Sequence, residues 1–372
     1  MSSNSPTPPI VFDESTVRDL ASRLRRVLSQ MVSGPDRVLA AIDLLEPDAL
    51  RELAAPRRDA RPETTLAELI ARGFATADPA AVALTGEATN GTARLTWAEV
   101  ATVTHQIARV LADRGLGPGE VVAVSIPRSP RMVLTMLGVA MSGAAFVIID
   151  ARLPVRRRAA MLADSDAALV ITVDSVVAAD RAAEPDAAPQ QRDTSVRDLG
   201  VEEWLLDDLE VELNIAGRRD HPVTDADRTR RTRVDDLAYL LFTSGSTGRP
   251  KAAAVTHAGL AEMVAEQQAR LGATPASRVV QLAAPGFGVA VWEIILAICA
   301  GAELVISPPD VFAGPELEDV TARHRVTHAV ATPTALATID PASVPDVETI
   351  MVAGRSARRN WSLGGMPMAG AC

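Results

Sequence analysis

The chain has 372 residues, a formal net charge of −10, and 48% hydrophobic but only 3% aromatic residues. That length can bury a large core and predicts more than one structural unit. The acidic balance argues against nucleic-acid binding through a basic face. Two cysteines, Cys299 and Cys372, cannot form a disulfide framework and point to a reducing, cytoplasmic compartment. No apolar run approaches the length of about 18 residues that spans a membrane, and the polar start lacks the pattern of a signal peptide.

Residues 1–11 are polar and proline-rich and are predicted to be disordered. Over 14–32, Val17, Leu20, Leu24, Val27, Leu28 and Met31 follow helical spacing. A second short helix is expected over Pro47 to Leu53, and 55–63 reads as a linker. From 64 onward, strand and helix patterns alternate. Thr96 and Glu99 fit a capping box, the apolar stripe Val100, Val103, Ile107, Val110 and Leu111 follows, and Gly115 is placed to end that helix. Val121 to Ile126 reads as a strand, Met132 to Met141 as a helix, Ala145 to Ile149 as a strand and Ala168 to Val173 as another. This alternation predicts an α/β fold with mainly parallel sheets covered by helices. Residues 174–200 read as a polar surface excursion, and Arg228, Arg230, Arg231 and Arg233 as a solvated loop.

Leu237 to Leu241 reads as a buried strand. Directly after it come Phe242 and then Thr243, Ser244, Gly245, Ser246, Thr247, Gly248, Arg249, Pro250 and Lys251. Glycines let backbone N–H groups approach a ligand closely, and hydroxyls and a lysine add donors and a positive charge. Such a loop suits a polyphosphate. A flexible surface turn is the alternative, since these residue types fill many loops. The stretch is not a Walker A loop, because Arg249 and Pro250 separate Gly248 from Lys251. Further on, Thr256 is placed to cap a helix with the apolar face Leu260, Met263, Val264 and Leu271. Val279–Leu282, Glu303–Ile306, Thr327–Ala331 and Thr349–Val352 read as strands, and Val291–Ala300 as a helix. His324 and His328 are four apart but straddle a helix-to-strand change and are read as structural; no other metal spacing is present.

The stretch 243–251 closely resembles the phosphate-binding motif of the adenylate-forming (AMP-binding) superfamily. Residues 95–100, 142–154, 237–257 and 286–306 resemble successive core motifs of that family in the right order. Their order and the preceding linker resemble the adenylation domains of nonribosomal peptide synthetases more than acyl-CoA synthetases. The resemblance implies the large N-terminal subdomain of that fold, over 64–354. It also makes 12–63 the tail of a condensation domain with its linker, a simple N-terminal helical cap being the alternative. The implied reaction joins a carboxylic acid to ATP and passes the acyl group to the phosphopantetheine thiol of a carrier domain. Thr243, Ser244, Gly245, Ser246, Thr247 and Gly248 would wrap the phosphates, with Mg²⁺ arriving with ATP. Lys251 would steady the loop or the leaving pyrophosphate, a surface ion pair being its alternative role.

Phe287, Gly288, Val289, Trp292, Thr334, Met351 and Ala353 fall at the family's pocket positions, although Trp292 reads equally well as a core aromatic. Gly288 stands where the family carries an aspartate that pairs with a substrate α-ammonium. Its lack of charge implies an aryl or hydroxy acid, or a site that has lost function. After Gly354 the sequence, residues 355–372, no longer resembles the family, which predicts a frameshift there. The C-terminal subdomain with its catalytic lysine is then expected to be absent and the chain inactive alone. A non-catalytic ATP-binding or synthetase-docking module and a pseudogene product are the alternatives.

Overall fold

The computed structural model describes residues 14–54, 62–88, 91–183, 200–243 and 250–353. The chain divides into a small unit, residues 1–60, and a large one, residues 61–372. The small unit contains α1 (Glu14–Ser33), a 3₁₀ turn at Leu39–Ala41 and α2 (Pro47–Ala54). Its helical stripe is present: Val17, Leu20, Leu24, Leu28 and Met31 are each at least half exposed. Gln30 ties α1 to the segment before α2, donating to the Asp43 carbonyl (2.8 Å) and accepting from the Asp43 N–H (3.0 Å).

In chain order the large unit runs α3 (Leu66–Thr76), β1 (Val82–Ala88), β2 (Gly91–Thr96), α4 (Trp97–Asp113), β3 (Val121–Ser125), α5 (Pro130–Ser142), β4 (Ala145–Ile148), α6 (Val155–Ser165), β5 (Leu169–Thr172), α7 (Asp174–Ala183), β6 (Glu202–Leu205) and α8 (Leu209–Ala216). It continues with β7 (Leu237–Thr243), β8 (Lys251–Thr256), α9 (Leu260–Leu271), β9 (Arg278–Gln281), α10 (Gly288–Ala300), β10 (Glu303–Ile306), α11 (Gly314–Arg323), β11 (His328–Ala331), α12 (Pro333–Leu336) and β12 (Thr349–Val352). Two six-stranded sheets result, ordered β12-β11-β9-β10-β1-β2 and β6-β5-β3-β4-β7-β8. All pairings are parallel except β1–β2 and β7–β8, so each sheet ends in one antiparallel hairpin.

Local chemistry sets these elements. Thr65 with Glu68 and Thr96 with Glu99 each form a reciprocal capping box at the starts of α3 and α4. Ser129 caps α5, and Pro130 occupies its first turn, where a missing N–H costs nothing. β3 is buried along its whole length, as a central parallel strand must be. Helices α5 and α10 are apolar on nearly every face and lie in the core rather than on the surface.

The helices of that core approach closely. A Cβ placed on Gly73 of α3 would lie 2.0 Å from the Ile298 carbonyl oxygen of α10. The obstacle is backbone, which cannot rotate away. Gly73→Ala is therefore expected to force the two helices apart and cost about 2–3 kcal/mol, read as a lower urea midpoint.

Four readings of the sequence are corrected. Thr256 ends strand β8 instead of capping a helix; α9 starts after Gly259, whose φ of +81° makes the turn that brings the chain from strand into helix. The polar stretch from 174 contains α7, and 184–199 lie outside the described residues. Arg228 is not solvated: its side chain is 9% exposed and donates to the Met141 and Ser142 carbonyls at the end of α5, where a cation meets the helix dipole. The helix expected from Val291 begins one turn earlier, at Gly288. His328 is structural as read, bonded through Nε2 to the Leu271 carbonyl (2.9 Å).

Candidate functional site

In an open α/β sheet, ligands collect beyond the carboxyl ends of strands where successive crossovers leave in opposite directions. In the first sheet that point lies between β9 and β11. Helix α10 carries the chain from β9 to β10 on one side, and α12 carries it from β11 to β12 on the other. The residues singled out as a substrate pocket emerge here. Phe287 and Gly288 start α10, with Val289 and Trp292 in its first turns; Thr334 lies on α12; Met351 and Ala353 close β12. The Ala353 N–H donates to the Ala331 carbonyl (3.0 Å), fixing the end of β12 beside that of β11. Phe287 and Thr334 are exposed, and the other five are half-buried.

The second sheet reaches this point from the side. A Cβ on Gly288 would meet the Leu241 Cδ1 of β7 at 2.9 Å, and one on Gly286 would lie 3.8 Å from the Asp150 backbone nitrogen after β4. Leu241, Trp292 and Met351 pack against one apolar cluster. β7 runs on to Thr243, which pairs across the hairpin with Lys251; the Thr243 hydroxyl donates to the Lys251 carbonyl at 3.4 Å. Both residues are exposed. Ser244, Gly245, Ser246, Thr247 and Gly248 lie outside the described residues, but the residues flanking them are placed: Thr243 at the end of β7, the strand whose Leu241 lies against Gly288, and Lys251 at the start of its partner β8.

The turn that presents Phe287 and Gly288 is clamped from both sides at Leu282. Its N–H donates to the Glu293 carboxylate of α10 (3.1 Å), as does the Ala283 N–H (3.1 Å). Its carbonyl accepts from Arg128, which also donates to the Pro308 and Val311 carbonyls. Arg128 therefore joins the second sheet, after β3, to the ends of β9 and β10 in the first. Its guanidinium stacks on Phe312 (4.5 Å), and Arg152 lies 4.9 Å from the same ring.

Burial pushes the Glu293 carboxyl up, to about 8, against the pull of its two backbone donors and of Arg128. Burial, with Arg152 nearby, brings Arg128 down to about 10. For Asp150, burial is outweighed by hydrogen bonds and charge from Arg152, and its carboxyl sits below the usual range. Sequence reasoning missed Arg128, Arg152 and Phe312. It passed over Glu293, although an acid inside an otherwise apolar helix was a visible signal. Among the described residues no group of three or more His, Cys, Asp or Glu side chains could hold a metal.

Two mainly parallel sheets flanked by helices, each closed at one edge by an antiparallel hairpin, define an α/β protein. The chain belongs to the AMP-binding enzyme family, which it matches over residues 72–371. It is 36% identical over 331 residues to the "Probable non-canonical nonribosomal peptide synthetase (NRPS) CymA" of Salinispora arenicola, covering 88% of this chain and 4% of that protein. It is 39% identical over 268 residues to "Novobiocin biosynthesis protein H" of Streptomyces niveus, covering 72% of this chain and 42% of the relative. The chain thus spans less than half the length of these relatives. In fold it is similar to the nonribosomal peptide synthetase FmoA3 in its AMPPNP-bound form, with a TM-score of 0.68 and 22% identity over 93% of this chain and 35% of that one. Among the described residues no helix is long and apolar enough to cross a membrane.

Proposed function

We propose that this chain is the N-terminal part of an adenylation domain of a nonribosomal peptide synthetase, built to activate a carboxylic acid with ATP. The observation that carries this reading is the contact of Gly288 with Leu241. It supports the reading by bringing the start of α10 against the strand that leads into residues 243–251. A carboxylate oxygen would attack the α-phosphorus of ATP, and pyrophosphate would leave. A carrier-domain phosphopantetheine thiol would then displace AMP from the acyl-adenylate, giving a thioester. Both reactants of the first step are anions, so donors and cations around the phosphates carry the rate. Thr243, Ser244, Gly245, Ser246, Thr247 and Gly248 supply the donors, Lys251 supplies a cation, and Mg²⁺ arrives bound to ATP. Residues 12–63 are read as the tail of a condensation domain and its linker, and the cytoplasm as the compartment.

The substrate is an acid without an α-amino group, such as an aryl or hydroxy acid. Gly288 offers no countercharge. The nearby carboxylates are engaged: Glu293 accepts from backbone N–H groups, and Asp150 pairs with Arg152 at 2.8 Å. A buried ammonium would therefore stay unpaired, at a cost of several kcal/mol. Titration of acids into the chain saturated with Mg-ATP tests this reading, because binding does not need the C-terminal subdomain. Aryl or α-hydroxy acids should bind saturably and α-amino acids should not. Saturable ATP binding with no binding of any acid would instead support a non-catalytic nucleotide-binding module.

A further inference from the structure

The second sheet has a switch point of its own, and neither the phosphate loop nor the acid crevice uses it. Helix α5 carries the chain from β3 to β4 on one side, while α7 leads from β5 toward β6 on the other. The crevice between the ends of β3 and β5 is where the topology rule places a ligand. A cavity of about 600 Å³ opens there, a volume in the range of small-molecule sites. Ile126, Val173 and Leu206, which follow β3, β5 and β6, line its base, and Ile107, Leu134 and Ile215 come from the surrounding helices α4, α5 and α8.

Arg128 in this lining is 3% exposed and commits its terminal nitrogens to carbonyls, so it offers a ligand no free charge-bearing edge. The charges around the cavity nearly cancel, with one acid in excess among Glu87, Asp207 and Glu212 against Arg128 and Arg131; Arg131 lies 3.3 Å from Glu212, and Asp207 accepts the Asp174 N–H at 2.9 Å.

We propose that this crevice is a second small-molecule site, separate from the nucleotide and acid positions. It takes a neutral, mostly apolar ligand of aromatic size. Because Arg128 also grips the Leu282 carbonyl, the site adjoins the clamp of the acid crevice.

Titration of the full chain with the neutral naphthyl ketone Prodan, read by its fluorescence, tests the proposal. One saturable site per chain is expected, unaffected by saturating Mg-ATP and by Leu24→Ser on the exposed face of α1. Ile215→Trp, which fills the cavity, should weaken binding roughly tenfold or more; Ala216→Leu is the second filling variant should the first fail to fold. Non-saturable binding, displacement by ATP, loss in Leu24→Ser, or full affinity in both folded filling variants would overturn it.

Discussion

Glu293→Ala is expected to lower the stability of the chain by about 3–5 kcal/mol, because it strands two buried backbone donors, those of Leu282 and Ala283. The same residue gives stability a pH dependence of definite sign. In the unfolded chain the carboxyl loses its proton near its ordinary value of 4.5, whereas in the folded chain it keeps it to about 8. Between those limits the folded state binds the extra proton. The contribution is therefore fully present below the unfolded value and is lost as pH rises toward 8, by a total of a few kcal/mol. Urea denaturation from pH 5 to 8.5 should show this fall in the parent. In Glu293→Gln, which cannot titrate, the slope should flatten. A parent that gains stability over the same window would show that Glu293 is ionised in the fold and that its backbone donors dominate.

The second large effect concerns substrate choice. Gly288→Asp should place a carboxylate at the first position of α10, where the helix N-terminus favours an anion. The new Cβ meets the Leu241 Cδ1 at 2.9 Å, so the double variant Gly288→Asp/Leu241→Ala gives it room. Titrating matched acids, an α-amino acid and its α-hydroxy counterpart, into the ATP-saturated chain measures the result. The parent should favour the hydroxy acid. The double variant should shift the ratio toward the amino acid by roughly a hundredfold, the scale set by pairing a buried ammonium. An unchanged ratio would place the α-substituent elsewhere.

The sequence carried most of the fold because its strands and helices alternate with clear periods. The strands at 121–126, 145–149 and 168–173, and the capping box at Thr96, are where the patterns place them. The antiparallel partner β8 was not legible, since Lys251–Thr256 is short, alanine-rich and largely exposed, and becomes a strand only by pairing with β7. Thr256 misled because a threonine before an apolar stripe marks a helix start only when no strand ends there.

The proposed pocket residues came from motif order, which assigned them without showing what fixes their backbone. The clamp was invisible because Arg128 acts on carbonyls 154 and 180 residues away. No local pattern reports such a contact. Arg228 was misjudged for a similar reason: a run of arginines looks solvated until the end of α5 supplies its carbonyl acceptors.

The most direct test of the account is isothermal titration of the chain with Mg-ATP, with Lys251→Ala and Ser246→Ala run alongside. One saturable site is predicted, weakened roughly tenfold in each variant as a phosphate donor or cation is removed. No measurable binding by the folded parent, or binding that both variants leave untouched, would contradict a triphosphate grip between β7 and β8.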